Sequence, residues 1–180
     1  DPEDRMDDYW GYTEAFYSVG FRPGDVVQVT FNYHLSPAGL MFEEPLRNLG
    51  CASIPAGPTD PGTQLDIMQK LRVSGYVGTA SYLMHLAQKA EEKGINLRKD
   101  LFQEVAFVTG ERLSEKMRNQ LEKKFDIILR QGYGTADVGC IGYECFHKTG
   151  LHISNRCYVE ICHPDTGIPL KDGEVGEIVV

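Results

Sequence analysis

The chain has 180 residues, 42% of them hydrophobic, and a formal net charge of −8 from 18 basic and 26 acidic side chains. That is long enough for a core of its own, with the composition of an ordinary globular domain. No Lys/Arg-rich stripe is present, so a nucleic-acid backbone is not the expected partner. No apolar run approaches the roughly 18 residues that a membrane helix needs.

Met6, Tyr9, Trp10, Thr13, Phe16 and Tyr17 recur at helical spacing and predict a helix that Asp1-Pro2 starts and Gly20 stops. Pro23-Gly24-Asp25 then turns the chain into a β-branched strand over 26–31. A second helix over 37–48 closes at Gly50, and a short strand over 52–54 stops at Pro55. Residues 55–62 form a loop dense in turn formers. A helix over 63–72 with Leu65, Met68 and Leu71 inward leads to a strand over 76–78. The next helix, over 80–93, carries the stripe Leu83, Leu86, Ala87 and Ala90 and ends at Gly94. A strand over 105–108, a helix over 114–124 with Met117, Leu121 and Phe125 on one face, and a strand over 127–129 complete this part.

Apolar strands alternating with helices predict an α/β fold, a parallel sheet with helices on both faces. After residue 138 the pattern changes to short strand candidates over 138–143, 151–153, 158–162 and 177–180, with turns at Asp165-Thr166-Gly167 and Asp172-Gly173. The expected division is a parallel α/β subdomain over 1–139 and a small, mostly antiparallel β portion over 140–180.

Residues 131–145 hold the densest chemistry. The strand over 127–129 is expected to enter a tight turn carrying Gly132, Tyr133, Gly134, Thr135 and Asp137. Glycines let the backbone take φ > 0 or approach a ligand closely. Tyr133 offers a flat ring, Thr135 a hydroxyl and Asp137 a carboxylate suited to Mg²⁺. The same residues also fit a plain turn with Tyr133 half-buried. Ligands of doubly wound sheets sit outside the carboxyl ends of the strands. Three such loops, Asn32-Tyr33-His34, Thr109-Gly110-Glu111-Arg112 and the stretch 131–137, are expected to line one crevice.

Tyr133-Gly134-Thr135-Ala136-Asp137 resembles the Tyr-Gly-x-Thr-Glu motif of the adenylate-forming enzymes, in their phenylacetate–coenzyme A ligase branch. Phe21-Arg22-Pro23-Gly24-Asp25-Val26-Val27, Val108-Thr109-Gly110-Glu111-Arg112-Leu113 and the stretch from Glu144 to Ile178 resemble further segments of that branch in the same order. The resemblance implies an internal piece of the large N-terminal domain of a ligase that joins a carboxylic acid, for instance an aromatic one such as phenylacetate, to AMP from ATP. Coenzyme A then displaces AMP. It implies that Gly110, Glu111 and Arg112 pass the adenine and acyl pocket, that Gly132, Tyr133 and Gly134 carry the adenine, and that Thr135 meets the phosphates. Asp137 stands where the family's glutamate helps hold Mg²⁺, and Tyr33 and His34 border the acid's carboxylate. Ala136 in place of Thr or Ser, Asp137 in place of Glu and Arg112 in place of Pro depart from the pattern. The family's phosphate loop would precede residue 1, and its ribose-binding aspartate and catalytic lysine would follow residue 180. The 180-residue piece alone is therefore expected to be inactive.

A second cluster, Cys140, Cys145, His147, His152 and Cys157, offers enough N and S ligands for a structural zinc. The alternative is that these cysteines are small buried strand residues. If zinc binds, a non-catalytic zinc-braced α/β module that takes a nucleotide or protein partner is the competing function. Five cysteines, an odd and scattered count, argue against a secreted disulfide framework and for a cytoplasmic setting. Exposed apolar edges would favour self-association. No Gly-x₄-Gly-Lys, Gly-x-Ser-x-Gly or His-Glu-x-x-His motif occurs.

Overall fold

The computed structural model describes residues 8–180. In chain order the elements are α1 (Thr13–Val19), β1 (Val26–Val29), α2 (Ala38–Asn48), β2 (Ala52–Pro55), α3 (Pro61–Lys70), β3 (Gly75–Gly78) and α4 (Ala80–Glu92). There follow β4 (Val105–Val108), α5 (Glu115–Phe125), β5 (Ile128–Thr135), β6 (Gly139–Tyr143), β7 (His152–Ile153), β8 (Glu160–Cys162) and β9 (Glu177–Val179). Seven strands form one sheet in the order β2-β1-β3-β4-β5-β6-β7, and β8 pairs with β9 in a separate two-stranded sheet. Pairing is parallel from β2 to β5 and antiparallel from β5 to β7. The expected α/β architecture is thus observed.

Both faces of the central strands β1, β3 and β4 are covered, which is why their sequences read as largely apolar runs, whereas the edge strand β2 stays partly exposed. Tyr76, Ala106, Val108 and Leu129 face a core built with Leu65, Met68, Leu83, Leu86, Leu121 and Phe125 from α3, α4 and α5. Val77, Val105 and Phe107, the alternate positions, face Phe16, Phe42 and Leu46 from α1 and α2. Three helices start on side-chain caps that satisfy otherwise orphaned N–H groups. Asp60 accepts from Thr63 N, Thr79 from Tyr82 N and Ser114 from Met117 N.

Three expectations are corrected. The first helix begins at Thr13, because the Asp8 carboxylate accepts from the backbone N–H groups of Tyr12 and Thr13 and ends the preceding turn there. Tyr9 and Trp10 lie in that turn, and Met6 and the Asp1-Pro2 start fall outside the described residues. Leu71 is 52% exposed rather than inward, because α3 ends at Lys70 and Arg72 turns into the left-handed region at φ 51°. Finally, residues 132–135 are not a turn but the second half of β5. The reversal falls at Ala136-Asp137-Val138, where Thr135 Oγ1 accepts from Val138 N at 3.1 Å.

Candidate active site

The two halves of β5 have different partners. Residues 128–131 pair with β4, and residues 132–135 pair with β6. Tyr133 opposes Gly142 and Gly134 opposes Cys140, so Ile141 is the extra residue of a β-bulge beside Tyr133. Bulges re-aim side chains, and here the Tyr133 ring is left 42% exposed. Gly132 and Gly134 answer to packing, not to a turn. A Cβ on Gly132 would lie 2.3 Å from the Phe107 ring. One on Gly134 would lie 2.2 Å from the Gly139 carbonyl oxygen and 2.3 Å from the Tyr12 hydroxyl.

At the carboxyl ends of β4 and β5 the loop over 109–112 and the start of the antiparallel ribbon enclose a cleft of about 490 Å³. It is lined by Thr109, Gly110, Glu111, Arg112, Gln131, Gly132, Tyr133 and Gly134, with Leu151 and Ile178 supplying apolar surface. That size and mixture suit a small-molecule site. Gly110 takes φ 83°, which lets the loop fold back over the strand end. The Glu111 carboxylate accepts from both Ser81 N and Ser81 Oγ, the latter at 2.9 Å, and so ties this loop to the first turn of α4.

Among the described residues, the three loops expected to share one crevice line two cavities. Asn32, Tyr33 and His34 line a separate one of about 500 Å³ with residues 55–59. Tyr33 is directed there by α2: its ring covers Gly39, where a Cβ would lie 2.6 Å away. Burial, then the neighbouring Glu43, push its phenol pKa well above the ordinary value. Phe31 bridges the two regions, with its ring 3.7 Å from where a Cβ on Gly110 would stand. His34 is exposed, and its backbone N–H donates to Asn32 Oδ1 at 2.7 Å. Asp137 is exposed at the β5–β6 turn, one carboxylate with open access.

Sequence reasoning placed Thr109 among the lining loops but did not single out Leu151 or Ile178, and it gave Gln131 no role of its own within the 131–137 stretch. Polar and aliphatic residues of these kinds give no signal until the strands are assembled. Behind Gln131 sits a buried ion pair that was also not foreseen. Arg118, 1% exposed, grips Glu144, 3% exposed, through Nη1 at 2.9 Å and Nη2 at 2.6 Å.

The expected zinc cluster does not form. Among the described residues no three His, Cys, Asp or Glu side chains stand where they would hold one ion. Cys140 is 2% exposed, its thiol pushed up to about 12 by burial and then by Cys157, and Cys157 Sγ donates to its carbonyl. Cys145 is partly buried. The His147 ring lies on Phe146 with centroids 3.9 Å apart, and His152 leans on Tyr143 at 5.8 Å. The donors are thus committed to different neighbours, and the zinc-braced module loses its support.

A mostly parallel sheet whose strand ends carry a tyrosine-edged cleft places the candidate site where α/β domains of the doubly wound class hold their ligands. The chain belongs to the AMP-binding enzyme family, whose family pattern matches residues 9–180. It is similar to the phenylacetate-coenzyme A ligase of Pseudomonas putida, 30% identical over 166 residues that make up 90% of this chain and 38% of that protein. The Escherichia coli K12 phenylacetate-coenzyme A ligase is 27% identical over 172 residues, again 90% of this chain and 38% of that protein. The chain therefore spans less than two fifths of the curated relatives it matches. In fold it is similar to an open conformation of 2-hydroxyisobutyryl-CoA ligase in complex with 2-HIB-AMP and CoA, with a TM-score of 0.89 and 20% identity over 98% of this chain and 43% of that one. A benzoate CoA ligase from Burkholderia xenovorans LB400 matches with a TM-score of 0.69 and 18% identity, covering 95% of this chain and 36% of that one.

Proposed function

We propose that the chain is the part of an AMP-forming acid–CoA ligase that carries the nucleotide, and that the cleft between residues 109–112 and 131–134 takes the adenosine of ATP. The cleft itself carries this reading: it lies at strand ends within the family match and presents an aromatic face, glycine backbone and a side-chain amide. The Tyr133 ring covers the adenine, and Gln131 faces its edge. Thr135 Oγ1 already accepts from Val138 N, so its hydrogen is left to donate to a phosphate oxygen. The role of Glu111 is to hold the loop from Gly110 to Arg112 open through Ser81 rather than to touch the nucleotide.

Asp137 fits Mg²⁺, which takes one or two carboxylates together with substrate phosphates. That ion would neutralise charge on the phosphates. Asp137 is one methylene shorter than glutamate, so it stays close to the β5–β6 turn. The second cavity, with Tyr33 and His34, takes the carboxylic acid, an aromatic one such as phenylacetate by likeness to the curated relatives. Its carboxylate attacks the α-phosphate, pyrophosphate leaves, and coenzyme A then displaces AMP to give the thioester. The cytoplasmic setting, the division near residue 139 and self-association through exposed apolar residues such as Val175 and Tyr158 belong to the same proposal.

The test is acid-dependent exchange of labelled pyrophosphate into ATP by the full-length polypeptide that carries this chain, across a panel of aromatic and aliphatic acids. Exchange with at least one acid, lowered by Tyr133→Ala, is expected. No exchange with any acid, or exchange indifferent to Tyr133→Ala, would defeat the proposal. The 180 residues alone are expected to bind nucleotide weakly and to form no acyl-CoA.

A further inference from the structure

Four donors converge on the two oxygens of Glu144. Arg118 Nη2 and Gln131 Nε2 donate to Oε1 at 2.6 and 2.9 Å, and Arg118 Nη1 and Gln131 N donate to Oε2, both at 2.9 Å. Arg118 is itself fixed by the Leu129 carbonyl at 2.9 Å and by Glu115 at 3.1 Å. The cluster joins α5, β5 and the end of β6, and only Gln131 among its members lines the cleft.

This has a chemical consequence for Gln131. A side-chain amide has a donor edge and an acceptor edge, and its neighbours choose which way it points. An ionised carboxylate only accepts, so it holds the Nε2 edge of Gln131 toward itself. Burial alone would push the Glu144 carboxyl up, but hydrogen bonds from Arg118 and Gln131 prevail and hold it below the ordinary carboxylate value. Oε1 is then the edge left to a ligand.

We propose that Glu144, held by Arg118, is a positioning residue for base recognition: it fixes the Gln131 amide so that the cleft offers an acceptor to a base bearing an exocyclic amino group and rejects a base bearing an oxo group there. The proposal rests on the nucleotide reading of the cleft and adds how adenine is told from a 6-oxopurine. A site that hydrogen-bonds one group discriminates against its replacement because a buried polar atom is left unpaired.

The experiment titrates AMP and IMP, which differ in that group, into the full-length polypeptide that carries this chain and follows binding by equilibrium dialysis. The unaltered chain is expected to favour AMP by about tenfold, the ratio of one lost hydrogen bond. In Glu144→Gln the neighbour of Gln131 becomes an amide that donates as well as accepts, and the AMP/IMP ratio is expected to fall toward one. Arg118→Gln combined with Glu144→Gln removes both charges together, so that no lone buried charge unfolds the chain. An unchanged ratio in either folded variant overturns the proposal, as does equal binding of AMP and IMP by the unaltered chain. Failure of the unaltered full-length polypeptide to bind either nucleotide defeats the nucleotide reading and this proposal with it. If neither variant folds, the Gln131 side-chain amide protons of the unaltered chain decide. Slow exchange with water supports a carboxylate-held amide, and exchange as fast as that of an exposed glutamine overturns it.

Discussion

Gly134→Ala separates two explanations of the glycine pair in β5. If these glycines serve a ligand, alanine should spare the fold and damage binding. The structure requires the opposite. The new methyl would stand 2.2 Å from the Gly139 carbonyl oxygen and 2.3 Å from the Tyr12 hydroxyl. Neither can yield readily: the first is backbone in the paired strand, and Tyr12 is 1% exposed with its ring edge-on to Phe42 at 4.9 Å. Overpacking of this kind costs about 1–3 kcal/mol, and a rigid neighbour places it at the top of that range. Loss of glycine's freedom in the unfolded chain offsets roughly 0.4–1 kcal/mol. The net destabilisation is about 2 kcal/mol, which for a domain of this size lowers Tm by roughly 4–8 °C. Thermal and urea denaturation without nucleotide measures it. A Gly134→Ala chain with unchanged Tm and lost AMP binding would refute the packing explanation.

Glu111→Ala removes the acceptor for Ser81 N and Oγ, and the loss of such a cap should cost about 1 kcal/mol in urea denaturation, with weaker AMP binding as the 109–112 loop loosens. Tyr133→Ala should weaken AMP binding by about tenfold, as expected for a stacking contact, while leaving Tm nearly unchanged because the ring is 42% exposed. The carboxyl of Glu144 lies below its reference value of 4.5, so its contribution to stability is complete above that pH and is lost as pH falls through the lowered value. Urea midpoints taken on both sides should show that loss in the unaltered chain and a smaller one in Glu144→Gln. A chelator should leave Tm unchanged, since among the described residues no three metal-ligating side chains meet in the β6–β7 region; a fall in Tm on chelation would contradict the observed placement of Cys140 and Cys157.

The parallel body was legible because burial on both faces leaves apolar runs that survive any detail of packing. Residues 105–108 are the clearest case, read from the sequence with the bounds that β4 has in the structure. Residues 9 and 10 misled because Tyr9 and Trp10 stand at helical spacing from Phe16 yet lie in a turn, with Tyr9 46% exposed; it is Tyr12, outside that stripe, that packs on Phe42 and Phe107, and Asp8 stops the helix from starting earlier. The strand over 132–135 was hidden by its glycines, which have little strand preference; its pairing comes from β6, and nothing local announces it. For the site, the glycine-tyrosine stretch and the Gly110 loop were correctly placed beside each other. Tyr33 was not separated from them, since its direction is decided by the absence of a side chain at Gly39, on another element. Arg118 and Glu144 were invisible for the usual reason: 26 residues apart, each looks like surface charge until the strands bring them together.

The short segment ahead of α1 ties down the hairpin that ends beside the cleft. Trp10 receives a hydrogen bond from Cys140 N at 2.8 Å and gives one to the Ala136 carbonyl at 3.2 Å, and Arg156 donates to the Asp8 carbonyl. These partners are separated by 126 to 148 positions. On a ribosome, the first of them must therefore wait, unprotected, while the residues between them are synthesised, and the Tyr133 ribbon cannot lock until the last has emerged. Assembly of the nucleotide end is consequently a late event, and a chain stalled before residue 156 would carry a formed sheet but an unlatched binding hairpin.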